Sequence, residues 1–210
     1  MKMKNTKMVV VFAISLLIAG GSWTFVQMRH GAVKHAAIKA VRYDVADPAA
    51  ISAFSSFDSR KRYRARVTCA VYGEQGGRGY RGQAEWFSPK VSGALDVIEI
   101  AVHGQGLVNI ILAEDEKGIP GKWVEQFEGV TLPRKAAAPL LLKSKNRPVL
   151  NLGTKYWLCA EPAQSSTAGQ WAQNNQKLQA GSAYENEQGK WASLGQTMSC
   201  AFSVSLVPTL

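Results

Sequence analysis

With 210 residues, 46% hydrophobic and 19% charged, the chain is long enough for one domain with a full core plus an appendage. Its net charge of +10 raises nucleic acid as a partner, but the charge is unevenly placed. Residues 1–66 hold 12 Lys/Arg against 3 Asp/Glu, and residues 67–210 hold 13 against 12. A nucleic-acid footprint lies on a folded surface, so no nucleic-acid partner is expected.

Lys2, Lys4 and Lys7 precede the uncharged run MVVVFAISLLIAGGSWTFVQM, residues 8–28. A membrane helix needs ~20 apolar residues, and Trp23 and Phe25 suit the interface. Residues 1–28 therefore read as a signal anchor, with the membrane as partner and the following domain outside the cytoplasm on a single inner-membrane span. A signal peptide cleaved at Ala19-Gly20-Gly21, releasing a secreted domain, is the alternative. Basic residues flank the span almost equally, so the orientation rests on the small size of the N-terminal tail.

Residues 29–66 are expected to form a basic, helical stalk or linker. GAVKHAAIKAVRYDVA continues the helix, and Asp47-Pro48 reads as N-cap and first-turn proline of a short helical turn through AAISAFSSF. RKRYRAR, residues 60–66, is a solvated linker face or a first edge strand. Adhesion to anionic headgroups or envelope polymers is its functional alternative.

From Val67 the pattern changes to period two. RVTCAVYG, QAEWFSP, LDVIEIAVHG, LVNIILAED, KWVEQFEGV, APLLLKS, KYWLCAEP and MSCAFSVSL are short β-prone runs separated by Gly, Pro, Asn and Ser clusters. Residues 67–210 thus read as an antiparallel β-sandwich of eight or nine strands. In LDVIEIAVH, Leu95, Val97, Glu99 and Ala101 share one face, while Asp96, Ile98, Ile100 and Val102 share the other. Apolar residues on both faces make this strand central. Glu114 to Gly121 reads as a rigid two-turn connection between Leu107–Ala113 and Lys122–Val130. No helix follows its glycines, so it is not a phosphate loop. Its consecutive acids point to alternating faces, which disfavours calcium.

Five segments in order then carry a family resemblance: AEWFSPKVSGALDVIEIAV, NIILAEDEKGIPGKWVEQF, LNLGTKYWLCAEP, Trp171 with Asn174-Asn175, and GKWASLGQTMSCAFSV. The chain resembles the exported bacterial choice-of-anchor and PEP-CTERM-associated domains over residues ~67–206. The resemblance implies a jelly-roll-like sandwich displayed outside the cytoplasm, with no established catalytic activity. The chain departs from the family in having no C-terminal sorting signal after SVSLVPTL and in its basic stalk.

Chemistry has little to build on. His30 and His35 lie in the leader and stalk, leaving His103, which precedes the hairpin tip Gly104-Gln105-Gly106 and reads as a solvated turn residue. No G-x-S-x-G elbow is present, so no enzyme, catalytic residue or cofactor is expected. Cys69, Cys159 and Cys200 show no CxxC or Cys/His spacing, and no metal is expected. Cys159 and Cys200, on late strands, form the candidate disulfide, with three buried thiols as the alternative.

The expected function is a non-catalytic, membrane-anchored module with a structural or protein-interaction role toward an envelope protein. A carbohydrate-binding module is the alternative. It would use Trp171, Asn174, Asn175, Tyr184 and Trp191, within a long loop, as stacking faces and amides for a glycan. Burial of Trp171 and Trp191 beneath that loop is the competing reading, and Trp86 and Trp157 read as core.

Overall fold

The computed structural model describes residues 46–58, 60, 62–77, 79–135 and 139–209. The expected N-terminal span, and the stalk as far as residue 45, lie outside the described residues. Among the described residues no helix is long and apolar enough to cross a membrane, and every regular element is a strand. In chain order these are β1 (Ile51–Ser55), β2 (Tyr63–Tyr72), β3 (Gly82–Phe87), β4 (Gly93–Ile100) and β5 (Val102–Gln105). There follow β6 (Leu107–Glu116), β7 (Ile119–Thr131), β8 (Leu140–Lys143), β9 (Val149–Leu150) and β10 (Tyr156–Pro162). The last are β11 (Ala168–Asn174), β12 (Gln179–Glu185), β13 (Trp191–Met198) and β14 (Phe202–Pro208).

The strands form three antiparallel sheets in a sandwich-like arrangement. One has the order β1-β14-β4-β8, with β9 also on β4; the second is β13-β12-β3-β10-β6-β7; the third is β2-β11-β5. Ile98, Ile100, Phe202 and Leu206 from the first sheet meet Phe87, Ile110, Leu112 and Leu158 from the second. The third sheet adds Val71, Val102 and Trp171 to the same core. Phe54 stacks on Phe202 at 4.8 Å between ring centres, and Trp171 meets Phe202 edge-on at 5.8 Å.

β10 illustrates why the six-stranded sheet is apolar on both faces. Tyr156, Leu158 and Ala160 face the main core, whereas Trp157 and Cys159 join Ala84, Ile111, Ala113 and Ala183 in a second buried cluster. The end strands β13 and β7 come within 8 Å of each other, so the sheet curls back around that second cluster.

Several expectations change. Asp47 does close a turn, its Oδ1 accepting from Ala49 N at 2.9 Å, but the chain then extends into β1 on β14 instead of turning helical. The fold therefore begins before residue 67, and β2 takes up residues 63–66 of the basic run. β4 is central, between β14 and β8/β9, as its two apolar faces indicate. A register shift opposite Ser205/Leu206 interrupts its alternation, so that Leu95 shares the main core with Ile98.

The hairpin at 114–121 is tighter than the expected two turns. Lys117 and Gly118 alone form the loop with φ of 55° and 86°, the left-handed pair of a type I′ turn. The acids belong to β6, and Pro120 sits in β7, an edge strand where a missing donor is tolerated. Asp115 accepts from the Trp157 indole at 2.7 Å and from Gly118 N at 3.3 Å. His103 lies within β5 opposite Gln170, not at a hairpin tip.

Candidate functional site

The five residues expected to hold a glycan do not meet. Trp171 is 0% exposed, and its indole N–H donates to Ala201 O at 3.1 Å in the main core. Asn174 is buried as well. Its amide donates to Ser199 O and Leu178 O, and its Oδ1 accepts from Gln176 N and Leu178 N, so it ties the β11–β12 turn together. Asn175 donates to Asp58 Oδ2 at 3.0 Å. The Arg62 backbone N–H, and then this amide, hold the Asp58 carboxyl well below its usual range. Trp191 packs half-buried against the second cluster. The expected long loop is two strands, β11 and β12, and the Trp171–Asn174–Asn175 platform does not exist.

Tyr184 alone of the five lines a cleft, a cavity of about 580 Å³ bounded chiefly by Tyr72, Tyr80, Arg81, Tyr184, Asn186 and Gln188. Two turns shape it. Tyr72 and Arg81 bridge across the β2–β3 connection through paired backbone bonds of 2.9 and 2.7 Å. Within that connection Gly76 passes so close to β11 that a Cβ would lie 1.6 Å from Thr167 O. On the other side, Asn186 Oδ1 accepts from Gln188 N and Lys190 N, both at 3.0 Å, closing the β12–β13 turn with Gly189 at φ 69°.

Arg81 lies over the Tyr184 ring at 5.4 Å, a cation–π geometry that holds the guanidinium against the ring. Beneath them the Tyr80 hydroxyl donates to Glu185 Oε2 at 2.6 Å. Burial raises Glu185, and burial together with the Glu185 charge pushes Glu161 up to about 7. Burial likewise holds the Cys159 thiol well above its usual range, which makes it inert. The cleft thus presents aromatic rings, one guanidinium, amides and the Glu187 carboxylate, an inventory for recognition.

The candidate Cys159–Cys200 bridge is ruled out by the fold. Cys159 faces the second cluster, whereas Cys200 lies in the main core, on the opposite side of β10. All three cysteines are free thiols. Cys200 instead approaches Cys69, Sγ to Sγ 3.0 Å, beside the buried Glu85. Sequence reasoning missed this convergence because the three residues come from separate strands or connections with no spacing to link them.

No protein-family model matches the chain, and no curated protein matches it by sequence.

Proposed function

We propose that this chain is a non-catalytic interaction module, tethered to the cell membrane by its N-terminal span and displayed outside the cytoplasm. A protein partner of the envelope docks in the cleft between the β2–β3 and β12–β13 connections. The cleft carries this reading: three tyrosines and an arginine converge in one concavity, and tyrosine and arginine dominate recognition hot spots. The strand order also supports a displayed jelly roll. The orders β1-β14-β4-β9 and β3-β10-β6-β7 follow from eight strands crossing between two sheets in two Greek keys, with β11–β13 inserted before the last. Kinship with the exported choice-of-anchor domains belongs to the same proposal.

A photo-cross-linking residue placed at Asn186 of the full chain, in its native membrane, tests the site. One discrete protein adduct is expected, lost in Arg81→Ala and Tyr184→Ala without loss of folding. Absence of an adduct overturns the docking reading. Tyr184, Asn186 and Gln188 are also ring-and-amide equipment for a sugar, so glycan-array binding lost in the same variants transfers the cleft to the carbohydrate reading. For placement, a reporter active only in the periplasm is expected to function when fused after Leu210; activity of a cytoplasmic reporter alone reverses the orientation.

A further inference from the structure

One ligand atom each from Cys69 on β2, Glu85 on β3 and Cys200 between β13 and β14 lie within 4.8 Å of one another. Glu85 and Cys200 are fully buried and Cys69 is half-buried. We infer that these three residues form a binding site for a thiophilic divalent cation, zinc foremost, with a fourth position for water. Two thiolates favour zinc over the oxygen-seeking magnesium or calcium, and three protein ligands leave the open position of a four-coordinate ion.

The two cysteines come to the site from opposite sides of β11. Cys69 pairs with Trp171 from the β2 side of β11. Cys200 bridges to Gln173, whose β2 side is already taken by Arg64, so Cys200 lies on the opposite side. Ala201, next to it, donates to Ala172 O from that same side. The two side chains reach toward each other over β11, Cys200 Sγ lying 3.9 Å from Trp171 O. Zinc–sulfur bonds of about 2.3 Å in a tetrahedral site set the sulfurs about 3.8 Å apart. Opening the observed 3.0 Å to that value requires small side-chain rotations only.

Glu85 is already oriented for such a role. Ser182 Oγ donates to its two oxygens at 2.9 and 3.0 Å, and Gln83 Nε2 donates to Oε1 at 3.2 Å. Ser182 is itself hydrogen-bonded to the Thr197 hydroxyl. Held carboxylates of this kind are the usual outer support of a metal ligand. On binding, the thiol protons leave to solvent and the ion takes their place.

The full chain, purified reduced and metal-free, is titrated with Co²⁺ as the probe. One equivalent is expected to produce a thiolate-to-cobalt charge-transfer band that added Zn²⁺ abolishes. Cys69→Ser and Cys200→Ser should each weaken Co²⁺ binding by about 100-fold or more, and Ser182→Ala by about 10-fold or more. Cys159→Ser should leave the titration unchanged. Two results overturn the proposal, both read on the unaltered chain so that a misfolded variant cannot obscure them. One is absence of the band with all thiols reduced; the other is a Cys69–Cys200 disulfide in peptides of the protein as isolated from cells.

Discussion

Trp171 shows how far a side chain's chemistry can mislead about its place. Beside two asparagines it reads as a stacking platform, yet its ring lies wholly inside the core against Phe202. Trp171→Ala should therefore cost about 3–5 kcal/mol, as large aromatic truncations in cores do, read as a lowered urea midpoint. Glu161 sets a pH dependence of the less common sign. Its pKa rises from 4.5 to about 7 on folding, so the folded chain binds more protons than the unfolded one between those values. That contribution to stability must fall as pH rises from about 4.5 to 7 and stay low above, by no more than about 3 kcal/mol. Glu161→Gln should raise the melting temperature at pH 8 and leave it nearly unchanged at pH 4. An equal gain at both pH values would place the effect elsewhere.

Among the elements, those built from branched and aromatic residues were legible. β3, β4, β6, β7, β10 and β14 all announce themselves by alternation, because their side chains fill the pleated, half-buried surface that strands present. β11 and β12, in AGQWAQN and QAGSAYE, do not. Their place depends on close approach: a Cβ on Gly181 would lie 1.9 Å from Trp86 Nε1, and one on Gly169 would lie 2.9 Å from Leu132 Cδ1. Such contacts have no periodicity to read. The cleft was partly legible for the same reason, Tyr184 being visible and its facing Tyr72–Arg81 edge not. Two turn glycines separate the physical causes. Gly118 has open space around it but φ of 86°, so Gly118→Ala should cost about 1–2 kcal/mol from backbone strain alone. Gly76 lacks room beside Thr167 O, and Gly76→Ala should cost more and distort the cleft. Chemical denaturation of both variants checks the order.

For the whole molecule, the division between stalk and domain was drawn too late along the sequence, because β1 carries only two large apolar residues, Ile51 and Phe54. Its contribution is tertiary. Phe54 packs against Phe87 and Phe202, and Ser56 Oγ donates to Cys200 O while accepting from Phe202 N at 2.8 Å. A chain shortened to begin at residue 46 should melt near the full chain. One beginning at Ser59 loses β1 with the half-buried Phe54 and also the buried Phe57, together worth at least about 3–5 kcal/mol, and should melt lower by roughly 10 °C or more. Equal melting temperatures would remove β1 from the fold's energetics.

The curl of the six-stranded sheet has a consequence for life at high density. An open sheet ends in rows of unpaired N–H and C=O groups that can template a strand from a neighbouring copy. Here β13 and β7, the two ends, turn toward each other, and neither is presented flat to a neighbour. β7 also carries Pro120 and the exposed, charged Lys122 and Glu128 along its length, residues that discourage such templating. Copies crowded together should therefore resist zipping edge to edge, because the largest sheet among the described residues turns its two ends toward each other.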